Sequence, residues 1–89
     1  MSEEFETART ELDSLIESVH SVILASVDEA GDPLSSYAPV FVDENCRFYV
    51  YISSIAKHTL QIRRSKRASV MLIEDESVTE NLFARKRLT

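Results

Sequence analysis

Tyr51-Ile-Ser-Ser-Ile-Ala-Lys-His-Thr-Leu60 is the stretch on which the fold turns. An alternating β-type run, Arg47 to Ile52, passes straight into a helical run that opens on hydroxyls and then presents Lys57, His58 and Thr59. The first amides of a helix lack intrahelical partners and carry the positive end of its dipole. Hydroxyls and cations placed there suit a phosphate or a carboxylate. The same residue types also describe a solvated helix start, and at this level both readings stay open.

The residues before this stretch read as one helix and three strands. Phe5, Ala8, Leu12, Leu15, Ile16 and Val19 recur at three- and four-residue steps, which predicts an amphipathic helix covering a sheet or a barrel end. Ser2 is its expected cap, and Glu3, Glu4 and Glu6 suit its positive end. Ser21 to Val27 is a short apolar strand. Asp28 to Asp32 is a turn, with Gly31, the only glycine, at a left-handed position. Leu34 to Val42 alternates: Leu34, Ser36, Ala38, Val40 and Val42 face one way, and Ser35, Tyr37, Pro39 and Phe41 the other. Pro39 has no N–H for a ladder, which predicts a bulge or an edge strand. Asp43 to Asn45 turns the chain into the third strand, where Phe48, Val50 and Ile52 oppose Tyr49 and Tyr51.

After the helix from Ser54 to Arg64 comes a basic cluster, Arg63, Arg64, Lys66 and Arg67, which a helix C-terminus favours in any case. Ala68 to Ile73 reads as a fourth, central strand. Glu74, Asp75 and Glu76 break it; adjacent acids after a strand read as a solvated turn before they read as a metal site. Ser77-Val-Thr-Glu80 has the pattern of a capping box, opening a last helix with Val78, Leu82 and Phe83 buried and Arg85-Lys-Arg-Leu-Thr89 at its end. The expected order is α-β-β-β-α-β-α, an antiparallel meander followed by a crossover and a lid. The fold class is α+β or small barrel. Four strands close no ordinary barrel, so the edges call for a partner, a dimer or further chain.

Composition narrows the function. At 89 residues, 44% hydrophobic and 28% charged, the chain has the make-up of one small globular domain. Residues 1–50 hold eleven acidic and two basic side chains, a net of −9; residues 51–89 hold four acidic and eight basic, a net of +4. An acidic protein is a poor nucleic-acid binder, but its basic half could meet a small anion, or the halves could neutralise each other across a fold or dimer contact. No apolar run approaches the roughly 20 residues of a membrane span. The acidic start resembles no secretory or transit signal, and a lone Cys46 forms no internal disulfide, so a cytoplasmic location is expected. One glycine allows neither a phosphate-binding P-loop nor a dinucleotide fingerprint. His20 and His58 form no zinc pattern, and no serine sits in a nucleophile elbow. Tyr37, Tyr49 and Tyr51 could flank a planar ligand, although aromatics on barrel strands are more often core.

Ala25-Ser-Val-Asp28, Ser36-Tyr-Ala-Pro39, Ile52-Ser-Ser-Ile-Ala-Lys-His-Thr59, Ala68-Ser-Val-Met-Leu-Ile-Glu-Asp-Glu76 and Leu82-Phe-Ala-Arg-Lys-Arg-Leu-Thr89 occur together, in order. With these blocks the chain resembles the N-terminal part of the HugZ/HutZ-type haem-utilisation proteins, over essentially everything after the first helix. That family falls within the FMN-binding split-barrel superfamily, whose named member is pyridoxamine 5′-phosphate oxidase.

The resemblance implies an antiparallel split β-barrel, six-stranded and homodimeric, with ligand sites at the subunit interface. Residues 1–89 would form a single domain corresponding to its N-terminal part. FMN-binding relatives hold the flavin phosphate just after the third strand, which maps to Ser53, Ser54, Lys57, His58 and Thr59. Ser36, Tyr37 and Ala38 fall where the second strand lines the ligand groove. In the haem branch Arg85 and Arg87 become candidates for propionate contacts. The cofactor implied is haem or FMN. Family members continue past this point, and their axial haem histidine lies in that later region; neither His20 nor His58 matches it. The expected function is haem-iron utilisation, with haem bound at a dimer interface and, in full-length relatives, degraded oxidatively. The alternatives are an FMN-binding oxidoreductase module and a non-catalytic dimerisation remnant.

Overall fold

The structure is a computed structural model that describes residues 2–89. It opens with helix α1, Glu3–Ser18, capped as the sequence predicts: the Ser2 hydroxyl accepts from the Phe5 N–H at 3.1 Å. Only the C-terminal end of α1 packs as expected. Leu15 is buried, with Ile16 and Val19 against the core, while Phe5 is 52% exposed and Leu12 is open as well.

Strands β1 (Ser21–Val27), β2 (Pro33–Val42) and β3 (Phe48–Val50) form the predicted antiparallel meander. The β1–β2 turn holds because Gly31 takes φ 86° and donates its N–H to the Asp28 carbonyl. The Asp28 carboxylate accepts from the Asp32 N–H at 2.9 Å. Helix α2, Lys57–Ser65, follows, then β4 (Ser69–Ile73) and β5 (Arg87–Leu88). The strand order is β3-β2-β1-β4-β5, one open antiparallel sheet with β4 in its interior.

Both helices lie on one face of this sheet. Val22 and Leu24 of β1, Ala38 and Val40 of β2 and Leu72 of β4 form the core with Leu15 of α1. The other face carries Ile23, Val27, Tyr37, Phe41 and Tyr49, all exposed. The tyrosines are therefore not core: Tyr37 and Tyr49 sit on the uncovered face and Tyr51 beyond the end of β3.

Further expectations are corrected. The third strand spans Phe48–Val50 rather than Arg47 to Ile52. At its start the Asp43 carboxylate takes the N–H groups of Asn45 and Arg47, so Arg47 belongs to the turn. At its end Tyr51 donates to the Pro39 carbonyl, and proline has no N–H with which to return the bond. Pro39 thus ends a ladder inside the sheet; β2 is neither an edge strand there nor marked by a bulge in its register with β1. The second helix starts at Lys57, not Ser54, because a turn at Ser53 to Ala56 comes first.

The last predicted helix is absent. In its place are two single 3-10 turns, Glu76–Val78 and Leu82–Ala84, and strand β5. The cap is Asp75, whose carboxylate accepts from the Ser77 N–H at 2.9 Å, so no capping box forms at Ser77. Pairing of Leu88 with Leu72 and of Arg87 with Ile73 draws the segment into extended backbone, leaving too few residues for a stable helix. Val78, Leu82 and Phe83 are exposed, Phe83 by 96%.

The sheet does not close. Its Cα radius of gyration, 15.1 Å, exceeds the about 12 Å of a compact chain of 89 residues. Its accessible surface, 7054 Å², compares with about 5,300 Å² for a compact monomer of this size.

Candidate functional site

The site begins at the end of β3. The Ser53 carbonyl accepts both from the Ala56 N–H, at 3.3 Å, and from the hydroxyl of Thr59. These bonds turn the chain out of the sheet and start α2. Thr59 is buried, with its hydroxyl holding that turn. Below it Gln61 is buried against β1, where its Oε1 accepts from the Ser26 hydroxyl at 2.7 Å. At the far end Arg64 donates to the Val27 carbonyl at 2.9 Å and lies 3.5 Å from a Glu29 carboxylate oxygen. The helix stops at Lys66, in the left-handed region, whose N–H bonds the Ile62 carbonyl. Three ties to the body therefore fix where the start of α2 points.

That start is uncapped. The N-cap residue is Ala56, no side chain accepts from the first-turn amides among the described residues, and the first turn holds no acid. The contrast with α1, which has a serine cap and three first-turn glutamates, is complete. Ser53, Ser54 and Lys57 are exposed around this end. His58 is half-buried, and its buried Nε2 has no partner among the described residues. An open set of amides, a lysine and an unpaired imidazole nitrogen fit an anionic group such as a phosphate or a propionate.

The remaining sequence-predicted residues fall elsewhere. Ser36 and Ala38 point to the helix-covered face of β2; Ala38 is core, and the buried Ser36 Oγ is unpaired among the described residues. Tyr37 points to the opposite face and is 75% exposed. It borders a cavity of about 870 Å³, together with His20, Glu11, Glu74 and Arg85. Arg85 donates through Nε to the Glu74 carbonyl at 2.6 Å, and Arg87 donates to the Arg85 carbonyl at 2.8 Å. Asp75 beside them is held below the usual carboxylate range by the Ser77 N–H and hydroxyl, and more weakly by the Arg85 charge. The structure thus gathers Ser53, Ser54, Lys57, His58 and Thr59 at one helix end and Tyr37 with Arg85 at a cavity. Lys57, His58 and Thr59 do not line that cavity.

Sequence reasoning missed the Ser26–Gln61 link, although a serine in phase with Val22 and Leu24 on a buried face was a readable signal. It also missed His20 as a cavity residue, for which no local pattern exists. Among the described residues no group of three potential metal ligands occurs, and no helix is long and apolar enough to cross a membrane.

An open antiparallel sheet that hands its third strand to a cationic helix start defines one part of a split barrel. The model of the pyridoxamine 5′-phosphate oxidase family matches residues 8–88, and the chain belongs to that family. It is 48% identical over 66 residues to the heme oxygenase HutZ of Vibrio cholerae, covering 74% of this chain and 37% of HutZ. The crystal structure of HutZ from Vibrio cholerae, described there as a heme storage protein, superposes with a TM-score of 0.78 at 37% identity, covering 88% of this chain and 54% of that one. Campylobacter jejuni ChuZ gives a TM-score of 0.82 at 31% identity over 97% of this chain and 35% of its own. The chain spans between about a third and about a half of the length of these relatives.

Proposed function

We propose that this chain is a haem-utilisation protein of the split-barrel class that binds haem where two copies meet, with the start of α2 receiving a propionate. The observation that carries the reading is the uncapped, acid-free start of α2, with Lys57 exposed and His58 Nε2 unpaired among the described residues. Similarity to proteins named as a heme oxygenase and a heme storage protein supports haem as the ligand. Haem would supply its iron as substrate or cargo. This chain's own part is to hold an acidic side group, with Ser53, Ser54 and Lys57 as donors and Tyr37 and Arg85 at a separate cavity. Haemin titration should give a saturable Soret shift, weakened in Lys57→Ala by about 1–3 kcal/mol. No shift in this chain or in a longer natural form sinks the reading.

A second reading takes FMN as the ligand. Family membership supports it, since the same helix start suits a flavin phosphate. Quenching of flavin fluorescence, lost in the Lys57→Ala variant, would decide for it over haem.

A further inference from the structure

Helix α2 has an outward face that the ligand site leaves unused. Lys57, Leu60, Arg63 and Arg64 recur at three- and four-residue steps and so share one side of the helix. The other side holds the buried Thr59 and Gln61, with His58 and Ile62 half-buried, which turns the Leu60 side away from the sheet. Leu60 is 55% exposed among these cations. Lys66 and Arg67 follow on the left-handed turn that ends the helix, both exposed. Just ahead of the helix Ile55 is 85% exposed. Residues 55–67 thus present Lys57, Arg63, Arg64, Lys66 and Arg67, no acid, and two uncovered aliphatic side chains. An apolar centre with a charged border is the make-up of a protein contact.

Little of this charge is neutralised within the chain. The ion pairs among the described residues are Arg47 with Asp43 and Arg64 with Glu29. Arg64 is therefore committed to the β1–β2 turn, while Lys57, Arg63, Lys66 and Arg67 have no acidic partner among the described residues. The acids of α1 do not reach them, although Glu3, Glu4, Glu6, Glu11, Asp13 and Glu17 against one Arg9 give that helix a net of −5.

Charge and size together choose the occupant. A nucleic-acid duplex or an anionic bilayer is broad. Laid on α2, it would also meet α1, which lies on the same face of the sheet and repels it. The outward face of α2 from Lys57 to Arg64 is about 10 Å long, two helical turns, and matches a narrow element. A helix with an apolar stripe and acidic borders fits both the shape and the sign.

We infer that the outward face of α2 docks an acidic, amphipathic helical segment of another protein. Leu60 and Ile55 form its apolar seat, and Arg63, Lys66 and Arg67 meet its carboxylates. The docking goes beyond the ligand reading above and uses none of the buried groups at the helix start.

The probe is a fluorescein-labelled peptide of about 18 residues, long enough to hold a helix, with leucines at three- and four-residue steps and glutamates elsewhere. Anisotropy with the 89-residue chain should show saturable binding that weakens as salt rises from about 50 mM to about 500 mM. Arg63→Glu with Arg67→Glu should weaken it at least about tenfold, and Leu60→Ser at least about threefold. Glu4→Lys with Glu11→Lys, on α1, should leave it within about twofold. Circular dichroism confirms each variant's fold. Haemin titration of the Arg63→Glu, Arg67→Glu variant should match the parent, so the docking and the ligand reading fail separately. Absence of peptide binding, or binding indifferent to both α2 variants, overturns the inference. So does tighter capture of phosphatidylglycerol vesicles or duplex DNA than of the peptide, lost in the same α2 variants.

Discussion

Asp43 shows how much one side chain organises. Its carboxylate accepts from the backbone of Arg47 and Asn45, from Arg47 Nε at 3.0 Å and from the Tyr49 hydroxyl at 3.2 Å. The Arg47 N–H is the largest cause holding this carboxyl below its ordinary range, and the hydrogen bond that Tyr49 donates to Asp43 raises the Tyr49 phenol. A folded-state pKa below the unfolded value means the contribution is present above the unfolded pKa of about 3.9 and is lost as pH falls through the folded value. Thermal melts should therefore drop below pH about 4, and Asp43→Asn should flatten that dependence. NMR titration of the Asp43 side chain gives the folded value directly. Gly31 is the other residue with a single purpose. A Cβ there meets nothing within 4 Å, so Gly31→Ala isolates the backbone term of φ +86°, about 1–2 kcal/mol of destabilisation in urea unfolding. The turn at Gly31 was readable from residue type. The turn at Asp43 to Asn45 was readable too; the φ of 61° on Cys46 within it was not, because what holds it is the Asp43 carboxylate and not the residue in the strained position.

Among the elements, α2 decides where the candidate site points. Ser26→Ala would strand the buried Gln61 Oε1 and should cost about 1–3 kcal/mol. Ser26→Ala with Gln61→Leu should recover most of it, since removing both partners leaves no orphan. Denaturant unfolding of the single and double variants measures the difference. A similar calculation gives opposite results at the C-terminal end. Phe83 was expected on the buried side of a last helix with Val78 and Leu82, yet Phe83→Ser should change stability by less than about 0.5 kcal/mol. Leu72→Ala, in the strand that captures β5, should cost about 2–5 kcal/mol. The residue types marked a segment able to form a helix there; pairing with β4, 14 and 16 residues away in sequence, was stronger, and no local pattern reports it.

Taken whole, the molecule is an open five-stranded sheet with both helices on one face. A sheet with one covered face buries less than a closed domain, so its urea m-value when dilute should fall below that of a compact chain of equal length. Association of copies should raise the midpoint with protein concentration. Unfolding monitored at about 1 µM and about 100 µM checks both. Strand β1, the alternation of β2, the cap of α1 and the Gly31 turn were all legible in the chain, because each depends on a residue and its near neighbours. The same holds for the cation at Lys57, whereas the helix start, expected among hydroxyls at Ser54, lies at the uncapped Ala56. What the tertiary structure alone decided was which face each alternation turned inward, that Phe5 and the tyrosines stay uncovered, that the final segment joins the sheet, and that the acids of α1 and the bases of α2 do not meet within one chain. Those outcomes depend on long-range pairing, where the free energy of burial is shared among strands far apart in sequence and overrides the preference of any one segment.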